Sequence, residues 1–425
     1  MNFLKFLNKS ENSVAVLVSV SILSLSFPYG FPLFGTLAFI FVCFKIISGK
    51  FKFRINIGFI LFFLCILSYF LGMYLSQGII YSNNISDILN IISMIFVWII
   101  LSDFEKPDYP SMLHKAAIYS VFTSLIVSLI SLFKFYQLLN GVQYEYFFVA
   151  GKYSNGTSLV RDYNMFSFAL LVGLILSVYL LTKASKSIHV LYYFISFIII
   201  FVAVLFSGSR RAWVVLAILG IYTFIIMIRF LIKTRAVKII KFGLILTFIT
   251  VFITLFMNAF NIEIDSNYKY HIDKLKYRFE TLKLSQSSDS FSQRTSRWDY
   301  AGNLYENGNP LELVIGSGFD YLPKYANIFA PDLDEDYPHN PILSSLLYAG
   351  LLGAIMTISL LFWSIVMAIK NFKLLKINFV FAYFISWIFI LISSNSIFSV
   401  GLFTLLLLII ISIPKENSYK TPKTK

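Results

Sequence analysis

Apolar stretches about as long as a lipid bilayer is thick recur along this chain, and no other feature limits its fold so strongly. Reading between charges and turn residues gives twelve: 13–27, 33–49, 55–75, 87–102, 116–137, 164–182, 188–207, 212–228, 239–260, 341–369, 377–394 and 397–413. A helix crossing the hydrocarbon core needs roughly 20 apolar residues. In lipid, each backbone polar group has to be satisfied inside its own segment, so a series of such stretches implies a helical bundle. Composition agrees. Hydrophobic residues make up 58% of the 425 and charged residues 13%, where a soluble domain carries about a quarter charged. The expected fold class is all-α, a polytopic membrane bundle of about 12 transmembrane helices.

Four sections follow along the chain. Residues 1–260 carry transmembrane helices 1–9, 261–340 form one large extracytoplasmic loop, 341–413 carry helices 10–12, and 414–425 are a cytoplasmic tail. Phe27-Pro28-Tyr29-Gly30-Phe31-Pro32 divides the first two stretches as a tight hairpin. Ser393-Ser394-Asn395-Ser396 divides the last two less firmly, which leaves eleven spans as an alternative. Lys5 and Lys9 precede the first stretch and no small-residue cleavage site follows, the pattern of a retained signal anchor.

The net charge of +14 invites a nucleic-acid reading, but the charges sort by side. With both termini inside, the cytoplasmic segments hold 22 of the 35 basic residues. The short external segments hold five: Lys134, Lys152, Arg161, Arg210 and Arg211. The other eight lie in the long loop, too long to weigh in the positive-inside rule. The orientation is N-in/C-in, and most of the charge is topological. Cys43 and Cys65 both sit inside apolar stretches, without disulfide or metal-ligand spacing.

Charges that oppose this trend are candidates for function. Phe206-Ser207-Gly208-Ser209-Arg210-Arg211-Ala212-Trp213 lies between two spans on the outer side. A guanidinium is a permanently charged fork suited to two phosphate oxygens; a pair snorkelling to the interface is the plainer reading. Arg161-Asp162-Tyr163-Asn164 opens the next outer mouth, where Asp162 could neutralise Arg161 and Asn164 could cap a helix. In the loop, Arg294, Arg297 and Trp298 fall within one helical turn. An aromatic beside an arginine suits a sugar next to a phosphate, or is a surface cation–π pair. Lys269, Lys274, Lys276, Arg278 and Lys283 alternate with apolar residues as on an amphipathic helix at the outer leaflet. His339 and Asn340 precede a membrane helix, where the helix dipole keeps an imidazole neutral and able to accept a proton; a capping histidine looks the same. The acidic run Asp332–Asp336 suits a divalent cation or simply a solvated loop, and Gly316-Ser317-Gly318 reads as a turn.

Three pieces therefore occur in order: Ser209-Arg210-Arg211-Ala212-Trp213, then Arg294 to Trp298, then His339-Asn340 with Leu343, Gly350 and Gly353. In that order, with Asp162-Tyr163-Asn164 upstream and a large loop before the histidine, the chain resembles the O-antigen ligase/O-antigen polymerase (Wzy-like) superfamily over roughly residues 160–360. The resemblance implies a multi-pass enzyme of the bacterial inner membrane with a periplasmic site. It implies transfer of a glycan from an undecaprenyl-diphosphate donor to a sugar hydroxyl, with inversion and without metal or cofactor. Arg210 and Arg294 would then hold the diphosphate and His339 would take the acceptor proton. Arg211, Arg161, Asn164, Arg297, Trp298 and Asn340 would line the substrates. Arg211 stands where the family commonly carries glycine, which leaves open which of the pair meets phosphate.

The partners implied are the lipid-linked oligosaccharide, a sugar acceptor (a lipid-linked repeat or lipid A–core), membrane lipids and a chain-length regulator; nucleic acid is not among them. Phe and Tyr richness and an undistinctive acceptor side lean toward repeat-unit polymerase, with O-antigen ligase as the alternative. A transporter or flippase of lipid-linked sugars is a third reading. Transporters place polar residues near the midplane, and here the basic residues gather at outer helix ends.

Overall fold

The computed structural model describes residues 9–27, 31–49, 51–75, 82–139, 156–160, 162–232, 288–392 and 394–414. Among them the regular elements are helices, with no strand. They are α1 (Ser10–Ser26), α2 (Phe31–Ile47), α3 (Ile57–Leu75), α4 (Ser82–Leu101), α5 (Tyr109–Leu139), α6 (Tyr163–Lys183), α7 (Ser187–Leu205) and α8 (Arg210–Ile232). The loop contributes α9 (Ser288–Glu306), α10 (Pro310–Ile315) and α11 (Tyr321–Phe329). The chain then continues as α12 (Pro341–Lys370), α13 (Phe372–Ile390) and α14 (Gly401–Ile411). Helices occupy eleven of the twelve expected stretches. The twelfth, 239–260, lies outside the described residues, as do Arg161 and the amphipathic stretch 269–283.

Six helical stretches are long and apolar enough to cross a bilayer: Ile57–Tyr74, Lys106–Leu139, Tyr163–Lys183, Ser187–Leu205, Pro341–Lys370 and Phe372–Ile390. The apolar helices near both ends of the chain are shorter. In α14, residues Leu402 to Ile411 are all buried, which makes this helix a core element that other helices cover. Residues 394–400 before it run irregularly, with the Ser396 hydroxyl accepting from Phe398 N at 3.0 Å and Thr404 Oγ1 donating to Ile397 O at 2.6 Å. Irregular backbone is tolerated at membrane depth where protein surrounds it.

The centre of the bundle is α6, with α1, α5, α7, α8 and α13 packed around it. Of its apolar span 83% is buried, against 28% for α7 and 39% for α3. Close approach comes from small residues: a Cβ on Gly173 would stand 2.1 Å from Ser124 Oγ of α5, and Ser120, Ser124 and Ser128 recur every fourth residue on that buried face.

Alternating helix directions sort the polar groups to two ends. At one end Lys45 pairs with Asp103 and donates to Ser10 Oγ at 2.7 Å, Arg54 donates to Phe104 O at 2.9 Å, and Asn56 donates to Ile411 O at 3.2 Å. At the other, Lys134 donates to the carbonyls of Ser158 (2.6 Å) and Gly156 (3.3 Å), and Thr157 binds back to Ala203 and Phe206 between α7 and α8.

The long helix α12 is broken at Gly350 (φ 64°, ψ −164°). The break frees the carbonyls of Leu347 and Tyr348, which accept from Ser317 N at 3.1 Å and Gly318 N at 3.0 Å. The loop thus supplies the donors that a continuous helix would have supplied. A Cβ on Gly72, close to the end of α3, would stand 2.0 Å from Tyr348 O. Residues 341–349 therefore rise past the end of α3, and 351–370, about 30 Å of helix, match the hydrocarbon core.

Candidate functional site

Residues 206–209 turn the chain from α7 into α8, with Gly208 at φ 76°. Serines shape the turn. Ser209 Oγ accepts from Ala212 N at 3.3 Å, as an N-cap does, and Ser207 Oγ accepts from Ser209 N at 3.3 Å. Two bonds tie the turn to α6: Ser167 Oγ to Ser207 Oγ at 2.8 Å, and Ser209 Oγ to Asn164 Oδ1 at 2.9 Å. Asn164 is not the cap of α6. Asp162 is, accepting from Asn164 N and Met165 N at 3.0 and 3.2 Å. Asn164 instead fixes the turn that presents the arginines.

Arg210 and Arg211 occupy the first turn of α8 and point to different surroundings. Arg211 donates to Phe389 O at 3.4 Å and Ile392 O at 3.2 Å, the carbonyls where α13 ends. Arg210 and Arg294 hold no ion pair among the described residues. Their charges nonetheless interact: Arg294 of α9 feels Arg210, and Arg211 feels Arg294. Burial and then the Arg210 cation depress the Arg294 guanidinium below its ordinary value, while Tyr163 opposes them. The structure therefore gathers Arg210, Arg211 and Arg294, with Asp162 and Tyr163 beside them.

One turn along α9 from Arg294, two side chains grip the segment that ends the loop. Arg297 pairs with Asp336 and donates to Tyr337 O at 3.2 Å, and Trp298 Nε1 donates to Pro338 O at 3.2 Å. Arg297 also lies over the Phe329 ring, 4.7 Å from its centroid, while Tyr325 donates to Arg297 O at 2.7 Å. Burial, chiefly, keeps the Tyr325 phenol raised and neutral. The ring beneath Arg297 is thus Phe329 of α11.

His339 follows directly, in a left-handed conformation (φ 57°) rare for a residue with a Cβ. Its Nε2 lies 3.8 Å from Asp336 Oδ1 and its ring packs edge-on to Tyr337, centroids 4.5 Å apart. Asn340 caps α12, its Oδ1 accepting from Ile342 N (3.0 Å) and Leu343 N (3.3 Å). Of the acidic run, Asp332 and Asp334 are exposed and Asp336 turns inward. The sequence reading named Asp336 only within an acidic run and Tyr163 only within the Asp162-Tyr163-Asn164 piece, and gave neither a role among these groups. The spacing of Asp336 three residues before His339 is the signal that could have found the first.

Residues 195–358 match the sequence profile of the family described as O-antigen ligase. This segment belongs to the O-antigen ligase/polymerase superfamily. It spans the turn bearing Arg210 and Arg211, the helix bearing Arg294, and the histidine segment through the break at Gly350. A glycan-transferring membrane enzyme of the ligase/polymerase type, acting on lipid-linked glycan, is what this membership indicates. The chain matches no curated protein.

Proposed function

We propose that the chain transfers a glycan from an undecaprenyl-diphosphate donor to a sugar hydroxyl at the outer face of the bacterial inner membrane, as a surface-polysaccharide repeat-unit polymerase. The observation that carries the reading is the gathering of Arg210, Arg211 and Arg294. Like charges brought together in partly buried surroundings repel, and an anion with several oxygens relieves that repulsion. A diphosphate has the matching charge.

In the reaction, the acceptor oxygen bonds to the anomeric carbon as the bond from that carbon to the diphosphate oxygen breaks. Attack opposite the leaving group inverts the centre. Arg210 and Arg294 stabilise the negative charge that the diphosphate gains, and His339 takes the proton released by the acceptor hydroxyl. Arg211, held by carbonyls of α13, Asn164, held by Ser209, and Arg297 and Trp298, bound to the histidine segment, keep these groups in register. Asn340 starts the helix that follows.

Substituting His339→Ala in protein that reaches the membrane normally should abolish transfer; full retained activity would sink the general-base role. The alternative reading is ligation of the glycan to lipid A–core, and the match to the family described as O-antigen ligase does not separate the two. The lipopolysaccharide of a deletion strain separates the two. Core bearing a single repeat marks a lost polymerase, whereas bare core with accumulating lipid-linked polymer marks a lost ligase.

A further inference from the structure

Asp336 is only 6% exposed, and a buried carboxylate is stable only where partners meet it. Three elements do so. From α9, Arg297 pairs with its Oδ2. From α11, Leu322 O accepts the Asp336 backbone N–H at 3.2 Å, and Tyr325 lies within reach of its charge. On its own segment, its Oδ1 faces His339 Nε2 at 3.8 Å. One carboxylate therefore stands between a permanent cation and an imidazole. The backbone between Asp336 and His339 is held as well, at Tyr337 O by Arg297 and at Pro338 O by Trp298.

We propose that Asp336 is the positioning residue for His339, orienting the imidazole and holding the charge it gains when the acceptor proton arrives. The inference rests on the transfer reaction above and adds to it a carboxylate partner for its base. Neutral imidazole accepts the acceptor proton and becomes imidazolium 3.8 Å from a fixed carboxylate, so the charged form is favoured where it develops. Arg297 pairs with the carboxylate and holds it in place. With no hydrogen bond across 3.8 Å, Asp336 does not select the tautomer, so its removal slows the reaction without abolishing it.

The test is a pH–rate profile on purified protein in detergent, with a synthetic polyprenyl-diphosphate-linked repeat as donor and acceptor. Among the described residues, Asp336 and Tyr337 face His339 from its own segment, and Arg297 on α9 and Tyr325 on α11 act on it through Asp336. Asp336→Asn removes the negative one. We expect kcat to fall roughly 10- to 100-fold, donor KM to hold, and the acid limb to move about one pH unit lower, because imidazole loses a partner that favours its charged form. Asp336→Glu keeps the charge, so its acid limb should stay at the wild-type position with kcat partly recovered; it also serves if the Asn variant does not fold. An unmoved limb in Asp336→Asn, or a shifted one in Asp336→Glu, overturns the proposal and leaves Asp336 as an anchor for Arg297. His339→Ala is the control that separates the two levels. If it remains active, the transfer reading of His339 has failed; if it is inactive while the limb does not move, only the role of Asp336 has.

Discussion

A guanidinium in the first turn of a helix opposes the positive end of the helix dipole, at about 0.3–1 kcal/mol, and α8 begins with two. Arg211 offsets this by donating to the carbonyls at the end of α13, where the dipole is negative. Among the described residues Arg210 has no such arrangement. The adjacent residues should therefore separate on mutation. Arg211→Ala strips donors from buried carbonyls, which costs about 1–3 kcal/mol, and should lower the melting temperature in detergent along with activity. Arg210→Ala should melt like the parent and lose at least roughly 100-fold in transfer rate. Equal melting and equal rates for the two variants would refute this division. The sequence placed both arginines at a helix end but could not divide their tasks, because the carbonyls that claim Arg211 lie almost 180 residues away. Separation in sequence also hid the use of Arg297 and Trp298: their partners, Asp336 to Pro338, are about 40 residues on.

Among the helices, α12 is where hydropathy alone misleads. Residues 341–369 read as one long span, yet Gly350 divides them and the Gly316-Ser317-Gly318 turn fills the break. Both glycines at the junction are in positive φ, and a Cβ on either would lie within 2.5 Å of the other strand of backbone, Val314 for Gly350 and Tyr348 for Gly316. Backbone atoms cannot swing aside as a side chain can. Gly350→Ala should thus cost about 2–4 kcal/mol, from the left-handed penalty and overpacking together, read as a lower melting temperature. Because residues 341–349 are the turns that Asn340 caps directly after His339, activity should fall at temperatures where the variant is still folded. Parental melting and activity in Gly350→Ala would mean that the break is dispensable. The spacing Gly350–Gly353 was visible as a motif and Gly316–Gly318 as a turn. Their meeting was not, since no periodicity links a loop turn to a helix interior. Lys376, by contrast, interrupts α13 at φ 63° next to the expected start of that span at 377, where charge gives way to apolar residues and hydropathy is a sound guide.

At the scale of the molecule, polar residues collect at two ends, and which end faces the cytoplasm decides where the candidate site works. The charge count points one way, and the structure refines its terms. Lys45 is buried against Asp103 and Ser10, and Lys134 is buried against Gly156 and Ser158. Each is held by packing, so neither is a free loop charge. Removing one from each side changes the count from 22 and 5 to 21 and 4, and the bias survives. It puts Lys186, in the exposed turn between α6 and α7, inside, and Asn303, exposed on α9, outside. Single cysteines test this directly, in a background with Cys43 and Cys65 replaced by serine. A membrane-impermeant maleimide, given access to the outer face of the inner membrane, should label Asn303→Cys in whole cells. It should label Lys186→Cys only after the membrane is broken. The reverse pattern would turn the bundle over, moving the arginines and His339 to the cytoplasmic face and removing the ground for an external transfer reaction. Labelling of both in whole cells would mean that the segment between them crosses an odd number of times fewer or more than α7, α8 and the stretch 239–260 require.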